Sequence, residues 1–331
     1  MMARENCSVS TYAYIDRPLS EAVRLLAEDG WKRIEIMCEG RHGELLAWPE
    51  EQLEALKRTG EAHGIRWSIH APITGCNPAS ADPETAAASE AVLLETLRIA
   101  ERLDGGCVVL HAGSAEGEQP VEGKDASDDT VSGMPAGRER HTGDWLARER
   151  RAKERIAAFL TRVLDRTPGG KAVIALENVP PYPGLYGVEV SFLLDIADKV
   201  NSPRVGLVFD AGHAHMTGPG RCLFLLQQAM PRLVSLHLSD NQGQEDEHLG
   251  LGAGSVPIEA MVAWLSACRY SGDWVLELRR PEELLASAVR LHSLRGQFPD
   301  GYQGQLQRGY DEDLTFEFLL APARPGDEAE E

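Results

Sequence analysis

Apolar positions along the chain fall into two alternating patterns. Short runs, several of them nearly continuous in apolar residues, occur at Cys7–Tyr14, Arg33–Glu39, Arg66–Ile73, Cys107–Gly113, Ala172–Asn178, Val205–Asp210, Leu233–Asp240 and Trp274–Arg280. Stretches such as Cys-Val-Val-Leu at 107–110 and Val-Gly-Leu-Val-Phe at 205–209 offer no polar face to water. That is the pattern of parallel strands buried on both sides. Between the runs lie longer segments whose apolar residues recur at helical spacing. Pro83–Leu103 puts Val92, Leu93, Leu97, Ala100 and Leu103 on one face, and Asp144–Arg166 does the same with Ile156, Phe159, Leu160 and Val163. Gly30, Gly64, Gly105 and Gly272 follow helical stretches, where C-terminal caps are expected.

Eight strands alternating with helices predict an α/β fold with a parallel sheet and crossover connections. Eight such units in roughly 300 residues favour a closed (β/α)8 TIM barrel over an open doubly wound sheet. No GxGxxG follows the first strand, so a dinucleotide-binding half is not supported. The expectation is one barrel domain over residues 1–298. Residues 114–143, rich in Gly, Asp, Glu and Ser, read as a long β4–α4 loop inserted on the rim. Residues 299–331 read as an acidic C-terminal extension, with eight acidic residues and one Arg from Asp311 onward.

Composition narrows the function classes. Thirty-three Lys+Arg against 52 Asp+Glu give a formal net charge of −19, with 43 % hydrophobic residues. Such acidity argues against an extended nucleic-acid surface, because phosphate contacts need clustered Lys and Arg. No apolar run reaches the roughly 18 to 20 residues that span a bilayer, and the first residues lack a secretory pattern. A cytoplasmic protein without membrane or nucleic-acid partners is expected. Six scattered cysteines without a CxxC pair read as reduced, mostly buried small hydrophobes, so a zinc–thiolate site is not expected.

The ionisable residues at the strand ends carry the chemistry. His70 closes strand three, His111 strand four, Glu177 strand five and Asp210 strand six, with His213 three residues on. His237 lies in strand seven and Glu277 in strand eight, while Asp246 and His248 sit in the loop after strand seven. One polar residue after an apolar run is ordinarily a strand end meeting water. Six consecutive strands each delivering His, Asp or Glu to one barrel rim is a different matter, because barrel active sites form there. Imidazole with carboxylate is the ligand set of Zn, Mn or Fe. A buried Glu177, Asp210 and Glu277 would repel one another without a cation.

In these residues the chain resembles the xylose isomerase-like TIM barrel superfamily. The branch is the one joining sugar phosphate isomerases/epimerases to endonuclease IV (AP endonuclease family 2). The resemblance runs from Cys7 to Phe298, leaving out 114–143. It implies a divalent metal on Glu177, Asp210, His237 and Glu277, with Glu177 and Glu277 moving a proton at a carbon next to a carbonyl. It also implies the fuller endonuclease IV set. There His70 and His111 join Glu177 and Glu277 around a second metal, and His213, Asp246 and His248 hold a third.

The expected function is a divalent-metal-dependent isomerase or epimerase of a small sugar or sugar-phosphate-like substrate, using one to three Mn or Zn ions. The alternative is a multinuclear zinc phosphoesterase. Asn178, His213 and Arg279 are the substrate-binding candidates, and pairing through outer helices or rim loops leaves a homo-oligomer open. Ketose 3-epimerases of the superfamily carry an Arg six residues after the strand-seven His, where this chain has Gly243. Arg138, Arg140 and His141 in the loop, and Arg279 and Arg280 after Glu277, are phosphate candidates weighed against plain solvated clusters. Tyr182 and Tyr186 are candidates to stack on a sugar ring, weighed against simple loop shaping.

Overall fold

A computed structural model of the chain describes residues 7–115 and 142–298, the side chains of 142–144 excepted. Eight strands close a parallel barrel in sequence order. They are β1 (Ser8–Ser10), β2 (Arg33–Met37), β3 (Arg66–His70), β4 (Cys107–His111), β5 (Val173–Glu177), β6 (Val205–Asp210), β7 (Leu233–Leu238) and β8 (Asp273–Leu276). The outer layer is α1 (Leu19–Glu28), α2 (Glu50–His63), α3 (Pro83–Arg102), α4 (Thr142–Arg166) and α5 (Val190–Val200). A short α6 (Ala211–Met216) stands on the end of β6, and α7 (Arg221–Ala229), α8 (Ile258–Ala267) and α9 (Leu284–Gln297) complete the ring.

Local chemistry explains where elements begin. The α3 helix starts after Asp82, whose carboxylate accepts from the Thr85 N–H at 2.8 Å, with Pro83 in the first turn, where its missing N–H costs nothing. Leu93, Leu97 and Ala100 are buried against the barrel as the periodicity predicts, while Val92 stays partly exposed. Gly30 and Gly64 take left-handed backbone at helix ends (φ +88° and +65°). At the end of α3 that conformation falls instead to Asp104 (φ +55°). A Cβ on Gly105 would sit 3.2 Å from the Ala100 carbonyl and 3.3 Å from that of Trp67, so Gly105 serves close packing. After α8 it falls to Arg269 (φ +55°) rather than to Gly272.

Side chains alternate between the two faces of each strand. One set packs outward into a large core shared with the helices, including Ile34, Ile36, Val108, Leu110, Leu176, Leu207 and Leu236. The other set points into the barrel. Cys107, Val109, Ala175 and Val208 form a small apolar floor there. Two residues further along the same strands stand His111, Glu177 and Asp210, so strand parity alone carries these groups to the rim above the floor.

The first apolar run is mostly not strand. β1 stops at Ser10, whose hydroxyl accepts from the Tyr12 N–H at 3.2 Å and caps a 3-10 turn over Thr11–Tyr14. β8 likewise ends at Leu276, so Glu277 is the first residue beyond it, its N–H still donating to the Leu238 carbonyl at 3.1 Å. Of the long insertion, Ser114 bridges to Leu185. Residues 116–141, with Arg138, Arg140 and His141, and the extension 299–331 lie outside the described residues. All six cysteines are free, and all but Cys268 are buried. No helix among the described residues is long and apolar enough to cross a membrane.

Candidate metal centre

The structure brings the strand-end residues into three groups whose potential ligand atoms lie within 4.8 Å of one another. The first is Glu177, Asp210, His237 and Glu277, all buried. The second is His70, His111 and Glu177, and the third is His213, Asp246 and His248. Glu177 belongs to two of them. Glu277 gathers with the first group, while His70 and His111 gather with Glu177 alone. Glu277 follows β8 and stands beside His237, with its Oε2 3.3 Å from His237 Nδ1.

Hydrogen bonds orient most of the imidazoles. His70 Nδ1 donates to the Ala71 carbonyl at 2.7 Å, His213 Nδ1 to the Asn178 carbonyl at 2.8 Å and His248 Nδ1 to the Glu277 carbonyl at 2.9 Å. A carbonyl only accepts, so the proton sits on Nδ1 in each case. Each ring therefore turns Nε2 inward. His70 Nε2 meets Glu177 Oε2 at 2.9 Å, and the Nε2 atoms of His213 and His248 meet Asp246 Oδ2 at 3.0 and 3.1 Å. His111 Nε2 reaches the same Glu177 oxygen at 3.1 Å. Metal-binding histidines are ordinarily held this way through their second nitrogen.

Several buried atoms are left over. Among the described residues, Glu177 Oε1, Asp210 Oδ2, His237 Nδ1, Glu277 Oε1 and Asp246 Oδ1 have no hydrogen-bond partner. His237 Nδ1 lies 2.8 Å from Glu177 Oε1 but out of line for a hydrogen bond. A buried polar atom left unpaired costs about 1–3 kcal/mol. Here every member of the first group contributes one. The donor set, three carboxylates and an imidazole, fits a divalent cation such as Mn or Zn, and a cation is what the orphaned atoms lack.

The electrostatics say the same. Burial disfavours charge on every group, yet His237, His111 and His70 around Glu177 hold its carboxyl well below the usual range. For Asp210 burial wins, with Glu177, Asp246 and Glu277 adding to it against His213, and the carboxyl is pushed up to about 6. Against their own burial, His70 and His248 are raised to about 9 by Glu177 and Asp246 respectively. Against the same penalty, Glu177, Glu277 and Glu35 lift His237 well above its ordinary value, as Asp210 and Asp246 do His213. Burial lowers His111 despite Glu177. Without a metal, protons on imidazoles do the neutralising that a cation does when bound.

The loop after β7 is clipped by a residue the sequence reading passed over. Asp240, buried at the end of that strand, accepts from the N–H groups of Asn241, Gly252 and Val256 at 3.0, 2.7 and 2.9 Å. Its N–H and carbonyl pair with Leu249. The glycine run 250–254 is the turn wrapped on this carboxylate. A Cβ on Gly254 would fall 2.3 Å from the Asn241 carbonyl oxygen, so only glycine fits that approach. The clipped loop presents Asp246 and His248, and the Asp246 N–H donates to the Tyr182 hydroxyl at 3.2 Å. The Tyr12 ring lies 4.9 Å from that of His248.

Other expected roles fall out differently. Asn178 is buried with its amide on the Asp210 main chain, Nδ2 donating to the carbonyl and Oδ1 accepting from the N–H, both at 2.9 Å. It clamps two strands. Tyr186 is buried between Trp145 and Phe192, ring centroids 5.9 and 5.7 Å away, so it is core. Arg280 pairs with Glu283, whereas Arg279 is exposed on the rim. His215 meets the Ser255 hydroxyl at 2.9 Å, and Trp67 is buried in the core. Glu35, which no strand-end rule singles out, is buried inside the barrel with Oε1 2.9 Å from His237 Nε2.

Comparisons with known proteins agree with the barrel fold. The uncharacterized protein MJ1311 of Methanocaldococcus jannaschii is 24 % identical over 280 residues, 84 % of this chain and 85 % of that protein. A probable endonuclease 4 of Methanoculleus marisnigri is 26 % identical over 274 residues, covering 76 % and 84 %. Among solved structures, a D-tagatose 3-epimerase-like protein superposes with a TM-score of 0.72 at 21 % identity, covering 88 % of this chain and 98 % of that one. The TTHB071 protein of Thermus thermophilus, soaked with zinc chloride, gives 0.59 at 24 % identity, covering 89 % and 98 %. The model of the xylose isomerase-like TIM barrel family matches residues 23–295, most of the barrel, and it is to that family that the chain belongs.

Proposed function

We propose that the chain is a divalent-metal-dependent isomerase or epimerase acting on a small, sugar-like substrate. One observation carries this reading: Glu177, Asp210, His237 and Glu277 converge in a buried group, each with a polar atom that no hydrogen bond satisfies. A divalent cation held there supplies a Lewis acid that polarises a carbonyl and its neighbouring hydroxyl. The two glutamates are the proton carriers. They arrive from β5 and from the end of β8, with ligand oxygens within 4.8 Å of each other. One takes the proton from the carbon beside the carbonyl and the other returns one. His70 and His111 hold Glu177 ionised, and Glu277, giving one oxygen to the cation, would keep the other to receive or deliver the proton. The apolar floor of Val109, Ala175 and Val208 closes the barrel below. The 3-epimerase names borne by structural neighbours suit a small sugar substrate.

A test needs no foreknowledge of the sugar. Ketoses and aldoses, free and phosphorylated, are incubated in D2O with the metal-loaded protein, and deuterium entering carbon beside the carbonyl is read by NMR. Incorporation that disappears in Glu277→Gln supports the reading. No incorporation into any of them, with metal bound, sinks it.

Phosphoester hydrolysis is the second reading, favoured by the two further groups, His70–His111–Glu177 and His213–Asp246–His248. With both of its oxygens engaged by cations, Glu177 would keep no basic oxygen for a carbon-bound proton. A multinuclear centre suits hydrolysis, and one relative is named a probable endonuclease 4. Elemental analysis of protein purified without chelator separates the readings. About one Mn or Zn per chain favours the isomerase, and two to three Zn per chain with turnover of a phosphodiester favours the hydrolase.

A further inference from the structure

Four histidines near the centre have a second nitrogen whose partner is defined. Three of them, His70, His213 and His248, give that Nδ1 proton to a main-chain carbonyl and turn Nε2 to the group. His237 is reversed. Its Nδ1 faces Glu177 and Glu277, at 2.8 and 3.3 Å, and its Nε2 faces Glu35 at 2.9 Å. The carboxylate of Glu35 therefore stands where the other three rings have a carbonyl.

Glu35 has no other evident task. It lies in β2 with 1 % of its surface exposed, and the Ser68 hydroxyl of β3 donates to its Oε2 at 3.0 Å. Glu35 and Ser68 are register partners, so the hydroxyl fixes the carboxylate from the adjoining strand. The remaining oxygen crosses the barrel to His237 on β7. Neither Oε1 nor Nε2 has an aligned hydrogen-bond partner. A carboxylate left buried in a barrel interior is costly unless it meets a donor, and the Nε2–H is the donor within reach. A proton on Nε2 leaves the lone pair on Nδ1, the atom that looks into the group.

We propose that Glu35 is the positioning residue of the candidate metal centre, holding the His237 ring with Nδ1 turned toward Glu177, Asp210 and Glu277, and itself held by Ser68. This rests on the reading of that four-residue group as a divalent-metal site. Glu35 touches neither substrate nor metal; it acts through His237. An outer carboxylate on a ligating histidine fixes the tautomer and raises its strength as a ligand, and its loss typically costs about 10–100-fold in metal affinity.

The test uses the full chain, stripped of metal and titrated with Co2+ alone, reading binding and the visible d–d bands together. Glu35→Gln is expected to weaken Co2+ binding about 10–100-fold and to shift the bands, while the metal-free variant melts as the parent does. A folded Glu35→Gln with parental affinity and spectrum overturns the proposal. Should that variant fail to fold, Ser68→Ala decides. A smaller loss of affinity with a band shift supports the proposal, and an unchanged titration overturns it. A parent chain that binds no Co2+ defeats the metal reading itself, which is a distinguishable failure.

Discussion

Asn178 and Asp210 hold each other by two hydrogen bonds of 2.9 Å, the amide of one reading both the N–H and the carbonyl of the other. Asn178 thus extends the β5–β6 ladder by one residue with a side chain, at the point where Asp210 must turn its carboxylate inward. The same carboxylate accepts from the His213 N–H at 2.7 Å and so starts α6. Asn178→Ala is expected to leave two buried main-chain groups of Asp210 unpaired, costing about 1–3 kcal/mol each. Melting temperature and metal affinity both fall, and KM at saturating metal stays near the parent value. A raised KM with unchanged metal affinity would return Asn178 to the role of a substrate contact.

Glu277→Gln separates chemistry from folding. The amide matches the carboxylate in size, and in the metal-free protein it sheds the burial cost of the charge and the repulsion of Glu177 and Asp210 while losing the attraction of His237. The unloaded variant is expected to melt close to the parent. Turnover is expected to fall about 100-fold or more, the scale of a lost general acid or base. Steady-state rates beside a thermal melt check both halves, and an active variant ends the two-glutamate mechanism.

Removing the metal makes stability depend on pH. His70 and His248 rise from 6.5 to about 9 in the folded chain. The stability they give is complete below pH 6.5 and is lost as pH climbs through 9. Asp210, raised from 3.8 to about 6, acts in the same direction lower down. Glu177 and Asp246 are held low and give stability above their ordinary values, losing it in acid. The chelated protein is therefore expected to lose on the order of 5 °C in Tm between pH 6.5 and 9. The metal-loaded protein stays flat across that window, because the cation has displaced the imidazole protons. Thermal melts with EDTA and with added Mn or Zn, over the same buffers, decide this.

Asp240→Ala should loosen one group and spare the others. Three N–H groups of the 241–256 loop lose their acceptor, and the loop carries Asp246 and His248. Elemental analysis is expected to show less metal per chain in a protein whose Co2+ affinity at the four-residue group is unchanged. Equal loss at every group would mean that the clip supports the whole barrel.

The barrel and most of the rim were legible because strand parity is strict. A run that is apolar to its last residue and then turns to His, Glu or Asp can be read directly, as with His111 and Glu177. Glu35 could not be found that way. In Arg-Ile-Glu-Ile-Met it looks like the wet face of a half-exposed strand, and only closure of the barrel turns that face inward. Ser68 repeats the pattern on the next strand, and that pair of polar residues at matching positions was the available signal. Asp240, in Leu-Ser-Asp-Asn, reads as an ordinary turn former, since its three acceptor bonds reach as far as sixteen residues ahead. Asn178 follows Glu177 and invites a chemical role by proximity, while its use is fixed by β6, a distant segment. Arg138, Arg140 and His141 stay as sequence expectations alone.

The barrel closes on its thinnest stave. β1 has three residues, meeting β2 through Val9 and Ser10 and β8 through Ser8 and Val9. Elsewhere on the ring, β4 and β5 meet through five registered pairs. β3 and β4 also meet through only two pairs, but β1 alone is that thinly joined on both edges. Native-state amide exchange should therefore run fastest along this seam and slowest between β4 and β5. The seam adjoins Glu35 on one side and Glu277 on the other. Breathing there would loosen one glutamate's hold on the ring of His237 and the other's place beside it, while Glu177 and Asp210 stay fixed in the stiff half. A cation bound for the buried group would find the ring easiest to part at so short a strand.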